Sequence, residues 1–315
     1  MKTISTLLSA SALLALILCV IPVFSNSWFF SFIGGMRLHL AIFALILSLL
    51  LLATGQWPNS IVPLGLSLAM LVYLNYLGTH FEQPVAVNKT GPKLKVVEFN
   101  ILESNTQADK VAAFLQSADA DIAFILEAGT MASHLPQLSK TYPYRLGCGE
   151  KTQTCDLLIL SRHPLQNAIV TSIGKLRPDR YMQARITVSD QTVTVIGMHL
   201  TKPYYDDFHI DELQTAGQRG WRQSKEPVIV AGDFNSSILA GDMQRFLRVT
   251  GLRTAAHQPK TWPVAAPSLG LAIDHIFVRP PAHIDRLQRI EDNLGSNHYG
   301  LTAEISIGES DNAQN

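Results

Sequence analysis

The octapeptide Val228-Ile-Val-Ala-Gly-Asp-Phe-Asn235 runs from four apolar residues into a carboxylate and an amide. Its front reads as a buried strand, and Gly232 lets the backbone turn at its end. On an extended segment Asp233 and Asn235, two residues apart, point the same way. A carboxylate that takes a proton from water, next to an amide that holds an oxygen, suits hydrolysis of a phosphate ester. A strand closed by an Asp/Asn turn accounts for the same letters. The rest of the chain has to separate the two.

Outward from this stretch, polar residues fall at regular places. Asn100, Glu127, His199, Asp233 with Asn235, and Asp274 with His275 each follow an apolar run. Strand character is expected at 94–100, 122–126, 157–160, 183–188, 192–198, 272–278 and 301–307, with a hairpin turn at Ser189-Asp190-Gln191. Thr106 and Asp109 form a capping-box pattern that opens a helix through Val111, Phe114 and Leu115, and further helices fit 208–222 and 239–249. Strand, helix and strand in succession make an α/β unit. Strand ends are where sites assemble in such folds, and carboxylate and amide oxygens suit Mg²⁺ or Mn²⁺, not zinc.

Composition divides the 315 residues unevenly. Before residue 86 the only charged side chains are Lys2, Arg37 and Glu82, so nearly all of the 25 basic and 25 acidic residues lie behind. That rear part is close to charge-balanced and lacks the basic excess with which a duplex-gripping nuclease neutralises phosphates. The front carries apolar runs at about 4–24, 38–53 and 61–77. Crossing a bilayer takes roughly 17–25 residues, so about three transmembrane helices are expected. The first run is longer than a signal-peptide core and lacks a clear small-x-small cleavage site. Lys2 and the free amine favour a cytoplasmic N-terminus, with Arg37 in the first loop voting the other way. Three crossings from inside put the remainder outside, on the periplasmic face of an inner membrane.

Cysteine usage agrees with that topology. Cys148 and Cys155 flank a short polar loop without the further Cys or His of a zinc site. They can close a small disulfide, which persists outside the cytoplasm, or remain two free thiols.

Taken together, residues 94–307 resemble the endonuclease/exonuclease/phosphatase superfamily, which includes DNase I-like nucleases, abasic-site endonucleases, neutral sphingomyelinases and inositol-phosphate 5-phosphatases. The resemblance rests on an ordered set of motifs: Phe99-Asn-Ile-Leu102, Leu126-Glu127, Ile159-Leu-Ser-Arg-His-Pro164, Met198-His-Leu200, Gly232-Asp-Phe-Asn235, Ile273-Asp-His-Ile-Phe277 and Gly295-Ser-Asn-His298. It implies a four-layered α/β sandwich of two packed mixed sheets. The expected domains are a transmembrane region at 1–80, a linker at 81–93, a catalytic domain at 94–308 and a polar tail at 309–315.

The resemblance also implies roles. Asn100 and Glu127, with Asn297, would hold a divalent cation that polarises a phosphoryl oxygen. Asp233 would orient or deprotonate the attacking water, Asn235 would bind the developing oxyanion, and His199 would donate to a phosphoryl oxygen. Asp274 would fix the tautomer of His298, the residue closest to acid/base duty. Arg162 is a candidate phosphate contact or a support of the sheet, and Tyr204 and Trp262 are candidate walls of the site. Asn297 stands where the family usually has Asp, and the Pro that often follows the closing motif is missing. The expected function is a membrane-anchored, metal-dependent phosphoesterase acting outside the cytoplasm. Its substrate is a lipid head group, a small phosphoester or nucleic acid, and no obligate protein partner is expected. A non-catalytic binding module that kept the fold is the rival.

Overall fold

In the computed structural model, residues 2–25, 27–84 and 91–308 are described. Four helices come first: α1 (Lys2–Phe24), α2 (Trp28–Gly35), α3 (Arg37–Ala53) and α4 (Trp57–His80). The rest alternates strands and helices: β1 (Lys93–Asn100), α5 (Ala108–Ser117), β2 (Ile122–Leu126), α6 (Leu135–Leu138), β3 (Tyr144–Leu146), β4 (Leu157–Ser161), β5 (Gln166–Thr171), β6 (Tyr181–Val188) and β7 (Gln191–His199). There follow α7 (Phe208–Gly217), β8 (Val228–Asp233), α8 (Gly241–Thr250), β9 (Asp274–Arg279), β10 (Ala282–Arg289) and β11 (Leu301–Ile307).

The strands form two mixed sheets. One runs β10-β11-β1-β2-β4-β3 and the other β5-β6-β7-β8-β9. Each contains a single parallel pair, β1 with β2 and β7 with β8. Side-chain alternation assigns the two faces of each strand. In β1, Leu94 and Val96 join the core between the sheets, while Val97 and Phe99 pack beneath α5. In β8, Ile229 and Ala231 face the other sheet, while Val228 and Val230 face α7 and α8. Hence a helix layer covers each sheet from outside. Helix α8 shows why: Met243, Phe246, Leu247 and Thr250 make one buried stripe, and Gly251 in the left-handed region (φ 71°) ends it with its N–H on Leu247 O.

The expected strands are all present, and β3, β5 and β10 are additional. Ser189 and Asp190 both take positive φ between β6 and β7, as a tight hairpin requires. Two local expectations fail. The helix near 106 begins at Ala108 without a side-chain cap, because Asn105 Oδ1 already accepts from Gln107 N at 2.7 Å and sets the turn. The start of the 81–93 linker is docked: Phe81 is buried and Gln83 accepts from Ile284 N at 2.8 Å. Residues 85–90 and the tail at 309–315 lie outside the described residues.

At the front, α1 and α4 are long and apolar enough to cross a membrane, and α2 with α3 makes a third candidate span bent by 63°. Asn59 donates to Ser5 Oγ at 2.9 Å, so the N-terminal ends of α1 and α4 lie together. At the opposite end Cys19 reaches Arg37 O, where α1 finishes and α3 begins. Arg37 is not a solvated loop residue. It is buried, with its guanidinium on Leu239 O at 3.3 Å and 5.5 Å from the Tyr73 ring centroid. Its charge is engaged with the strand-bearing domain.

Candidate active site

The carboxyl end of β8 meets the ends of its neighbours in register. His199 pairs with Asp233 across the parallel ladder, and Asp233 with Asp274 across the antiparallel one. In the facing sheet Asn100 pairs with Leu126, which places Glu127 at the same height. Gly232 does not form the turn. It lies within β8 at φ 152°, where a Cβ would collide with the Met198 carbonyl, so only glycine lets β8 approach β7 there. The reversal comes at Asn235, in the left-handed region at φ 50°. Its N–H donates to Asp233 Oδ1 at 2.7 Å and its side-chain amide to Leu200 O at 2.9 Å. Asp233 and Asn235 therefore share a site through an Asx-type turn and not through strand alternation.

Polar contacts link the cluster. Asn100 Nδ2 donates to Asp233 Oδ2 at 3.0 Å and to Glu127 Oε1 at 3.2 Å. Glu127, itself at positive φ (54°), accepts from Glu103 N at 2.8 Å. His298 Nδ1 lies 2.9 Å from Asp274 Oδ2, and His199 Nδ1 lies 2.8 Å from Asp156 Oδ2. Arg180 in turn donates to Asp156 at 2.9 Å. Ligand atoms of Asp233, Asp274 and His298 all lie within 4.8 Å of one another, a group that could hold a metal ion.

Electrostatics follow from this crowding. Burial raises the Asp233 pKa, and the Asp274 charge adds to it, against the opposing pull of His298 and His199. Burial would lower the pKa of His298, yet Asp274, Asp233 and Glu127 push it up to about 9. Burial would raise Asp156, but His199 and Arg180 bring it down to about 2. Beneath them Glu98, fully buried and with no hydrogen bond to either oxygen among the described residues, is pushed well above the usual carboxylate range by burial, Asp274 and Asp233. Buried acidity of this density, built from hard oxygen donors, fits a small divalent cation.

Most of the expected residues converge. A cavity of about 80 Å³ is lined by Asn235 and His298 together with Tyr204 and Trp262. Three residues singled out in the sequence stand apart from the cluster. Arg162 follows Ser161, which pairs with Ile122 at the far end of β2, and it donates to Asp119 Oδ1 at 2.6 Å. Four residue steps, roughly 13 Å, separate it from the Glu127 end, so it braces the sheet. His275 alternates away from Asp274 and is buried on Ser236 O, where burial lowers its pKa to about 4. Asn297 is exposed between buried Ser296 and His298. Its carbonyl accepts from Val264 N, and no side-chain hydrogen bond ties it to the cluster among the described residues. Cys148 and Cys155 form the disulfide.

Asp156 and Arg180 escaped the sequence reading because both precede their strands. β4 runs antiparallel to β2, and β6 antiparallel to β7, so their first residues stand at the same end as the last residues of β2 and β7. A search confined to residues after apolar runs passes over them. The available signal was an acid and a base immediately before antiparallel strands.

Three solved structures share this fold at low sequence identity. An endonuclease/exonuclease/phosphatase from Beutenbergia cavernae matches with a TM-score of 0.57 at 17% identity, over 70% of this chain and 72% of that one. A humanized D. rerio TDP2 gives 0.55 at 18%, over 68% and 98%. The beta toxin of Staphylococcus aureus gives 0.52 at 18%, over 67% and 99%. No curated protein matches the chain. The family profile described as Endonuclease/Exonuclease/phosphatase covers residues 97–298, from β1 through the His298 that closes the site, and the chain belongs to that family.

Proposed function

We propose that the protein is a membrane-anchored, divalent-metal-dependent phosphoesterase whose catalytic domain works outside the cytoplasm, on the periplasmic side of an inner membrane. The observation that carries this reading is one constellation: the Asp274–His298 pair against Asp233, open to a cavity that Asn235 also lines. Two apolar helices, the bent α2–α3 pair as a third candidate span, and the Cys148–Cys155 disulfide support the location.

Asp233, with its raised pKa, accepts a proton from the attacking water as the new bond to phosphorus forms. His298, held protonated near neutral pH, delivers its proton to the departing ester oxygen as that bond breaks. Asp274 keeps Nδ1 of His298 occupied and thus aims Nε2 at the cavity. His199, oriented by Asp156, and Asn235 supply donors to phosphoryl oxygens. Glu127 with Asn100 are the residues that would hold Mg²⁺ or Mn²⁺, beside the Asp233 and Asp274 carboxylates. A bound cation supplies Lewis-acid polarisation of a phosphoryl oxygen.

The test is Mg²⁺-dependent hydrolysis of bis(p-nitrophenyl) phosphate and of p-nitrophenyl phosphate by the full chain, with Glu127→Gln beside it. Turnover by the wild type, lost together with Mn²⁺ affinity in a folded Glu127→Gln, is expected. A silent wild type would leave the non-catalytic module, and metal-independent turnover would remove the metal assignment.

A further inference from the structure

Helix α2 is not a plain connector between membrane helices. Trp28 N donates to Asp207 Oδ1 at 3.1 Å, Ser31 Oγ donates to Asp242, and the Phe32 ring meets Tyr204 edge-on at 5.7 Å. Gly34 allows the approach, since a Cβ there would stand 3.3 Å from Ala240 Cα. Docked in this way, Phe32 and Met36 become walls of the same cavity that Asn235 and His298 line. The membrane segment therefore completes the candidate active site.

A second cavity adjoins the first. A groove of about 430 Å³ runs between the strand-bearing domain and helices α3 and α4, within the range of about 300–1,000 Å³ usual for ligand sites. It shares Gly35, Ser237 and Leu271 with the first cavity. Leu38 of α3, Leu71 and Leu74 of α4, and Leu239 give it apolar walls. Glu82, Lys260, His39 and His257 also line the groove beside these leucines, and the strand-bearing part carries no basic excess to draw nucleic acid.

Resting on the phosphoesterase reading, we infer that the substrate is a membrane lipid whose phosphoester lies at Asn235 and His298 and whose hydrocarbon chain lies in the groove along α3 and α4. The lipid reaches the site laterally past α2. Cleavage is the same water-driven step, with one P–O bond formed, one broken and the proton passed to the leaving oxygen.

The experiment places the full chain in nanodiscs of phosphatidylethanolamine and phosphatidylglycerol containing phosphatidylglycerol with an acyl-chain diazirine. After irradiation, labels on Leu239 and Leu271 are quantified against Val72, an outward residue 71% exposed. The perturbing variant is Gly78→Phe, because Gly78 lines the groove and a Cβ there has nothing within 4 Å. At least a fivefold loss of label at Leu239 and Leu271, with Val72 unchanged, is expected. No label at those two leucines, or equal label in Gly78→Phe, overturns the lipid groove. Hydrolysis of bis(p-nitrophenyl) phosphate by the wild type reports on the phosphoesterase reading separately. Turnover without groove labelling refutes the lipid substrate alone, and groove labelling without any turnover keeps the lipid site and refutes the hydrolase.

Discussion

Two histidine–carboxylate pairs of the same length sit among the described residues, and their surroundings differ. His298 Nδ1 lies 2.9 Å from Asp274, and His209 Nδ1 lies 2.9 Å from Asp242. Both histidines are buried, which lowers the imidazole pKa, and in both the partner carboxylate and the other acceptors around it together raise it instead. The difference is the second ring nitrogen. His209 Nε2 is bonded to Phe234 O at 2.8 Å, whereas His298 has no partner for Nε2 among the described residues and borders a cavity. A dyad with both nitrogens satisfied is a brace, here tying α7 to α8 and, through Ser31, to α2. A dyad with one nitrogen free beside open space can move a proton. Charge and distance alone do not tell the two apart.

The largest effects test the open dyad. His298→Ala is expected to lower turnover by several orders of magnitude. Asp274→Asn should cost on the order of 10²–10⁴-fold, as for other orienting carboxylates. Both are read as metal-dependent hydrolysis by protein whose circular dichroism matches the wild type. A neutral Asp274→Asn would reduce the open dyad to a brace like its twin.

A smaller effect is expected at Asp156, which orients His199 from behind. Asp156→Asn should cost about 10–100-fold, the usual scale for a residue that acts through another. It carries a pH signature as well. A carboxyl held at about 2, below its unfolded value of about 3.9, stabilises the fold fully above that unfolded value. That contribution fades as pH falls through 2. Acid unfolding curves should therefore steepen between about pH 4 and 2 in the wild type and flatten there in Asp156→Asn.

The closed dyad should show the opposite balance. His209→Ala leaves Asp242 buried with its imidazole partner gone, and breaking such a pair costs about 3–5 kcal/mol. Thermal inactivation should come many degrees earlier, while turnover per folded molecule stays roughly unchanged. A folded variant that lost turnover would move the brace into the catalytic machinery.

The same contrast marks what was legible in the sequence. Apolar runs that end in Asn100, Glu127, His199 and Asp233 located one pole of the fold, because the last residues of β1, β2, β7 and β8 share that end. Asp156 and Arg180 were hidden since antiparallel strands bring their first residues there, and strand direction is decided by pairing, not by local letters. Glu98 was hidden for another reason. It reads as an ordinary polar position in an edge-like alternation, yet β1 lies centrally in its sheet and the facing sheet buries the side chain. Helix α2 fell between two apolar runs, and only its docking against Tyr204 and Asp242 shows what it is for.

The smallest expected effect concerns Asn297, whose place between Ser296 and His298 suggests a strong one. An added carboxylate at a buried ligand position would tighten the metal greatly and raise the His298 pKa further. Here the side chain is exposed while both neighbours are buried. Water and salt screen a charge at such a position, since exposed pairs are worth about 0–1 kcal/mol. Asn297→Asp should therefore lower the Mg²⁺ concentration needed for half-maximal turnover by no more than about fivefold, the equivalent of that energy. The shift should shrink further at 0.5 M salt. A gain of a hundredfold, insensitive to salt, would mean that residue 297 turns inward when metal binds, and that Asn297 weakens this site by the loss of a ligand charge.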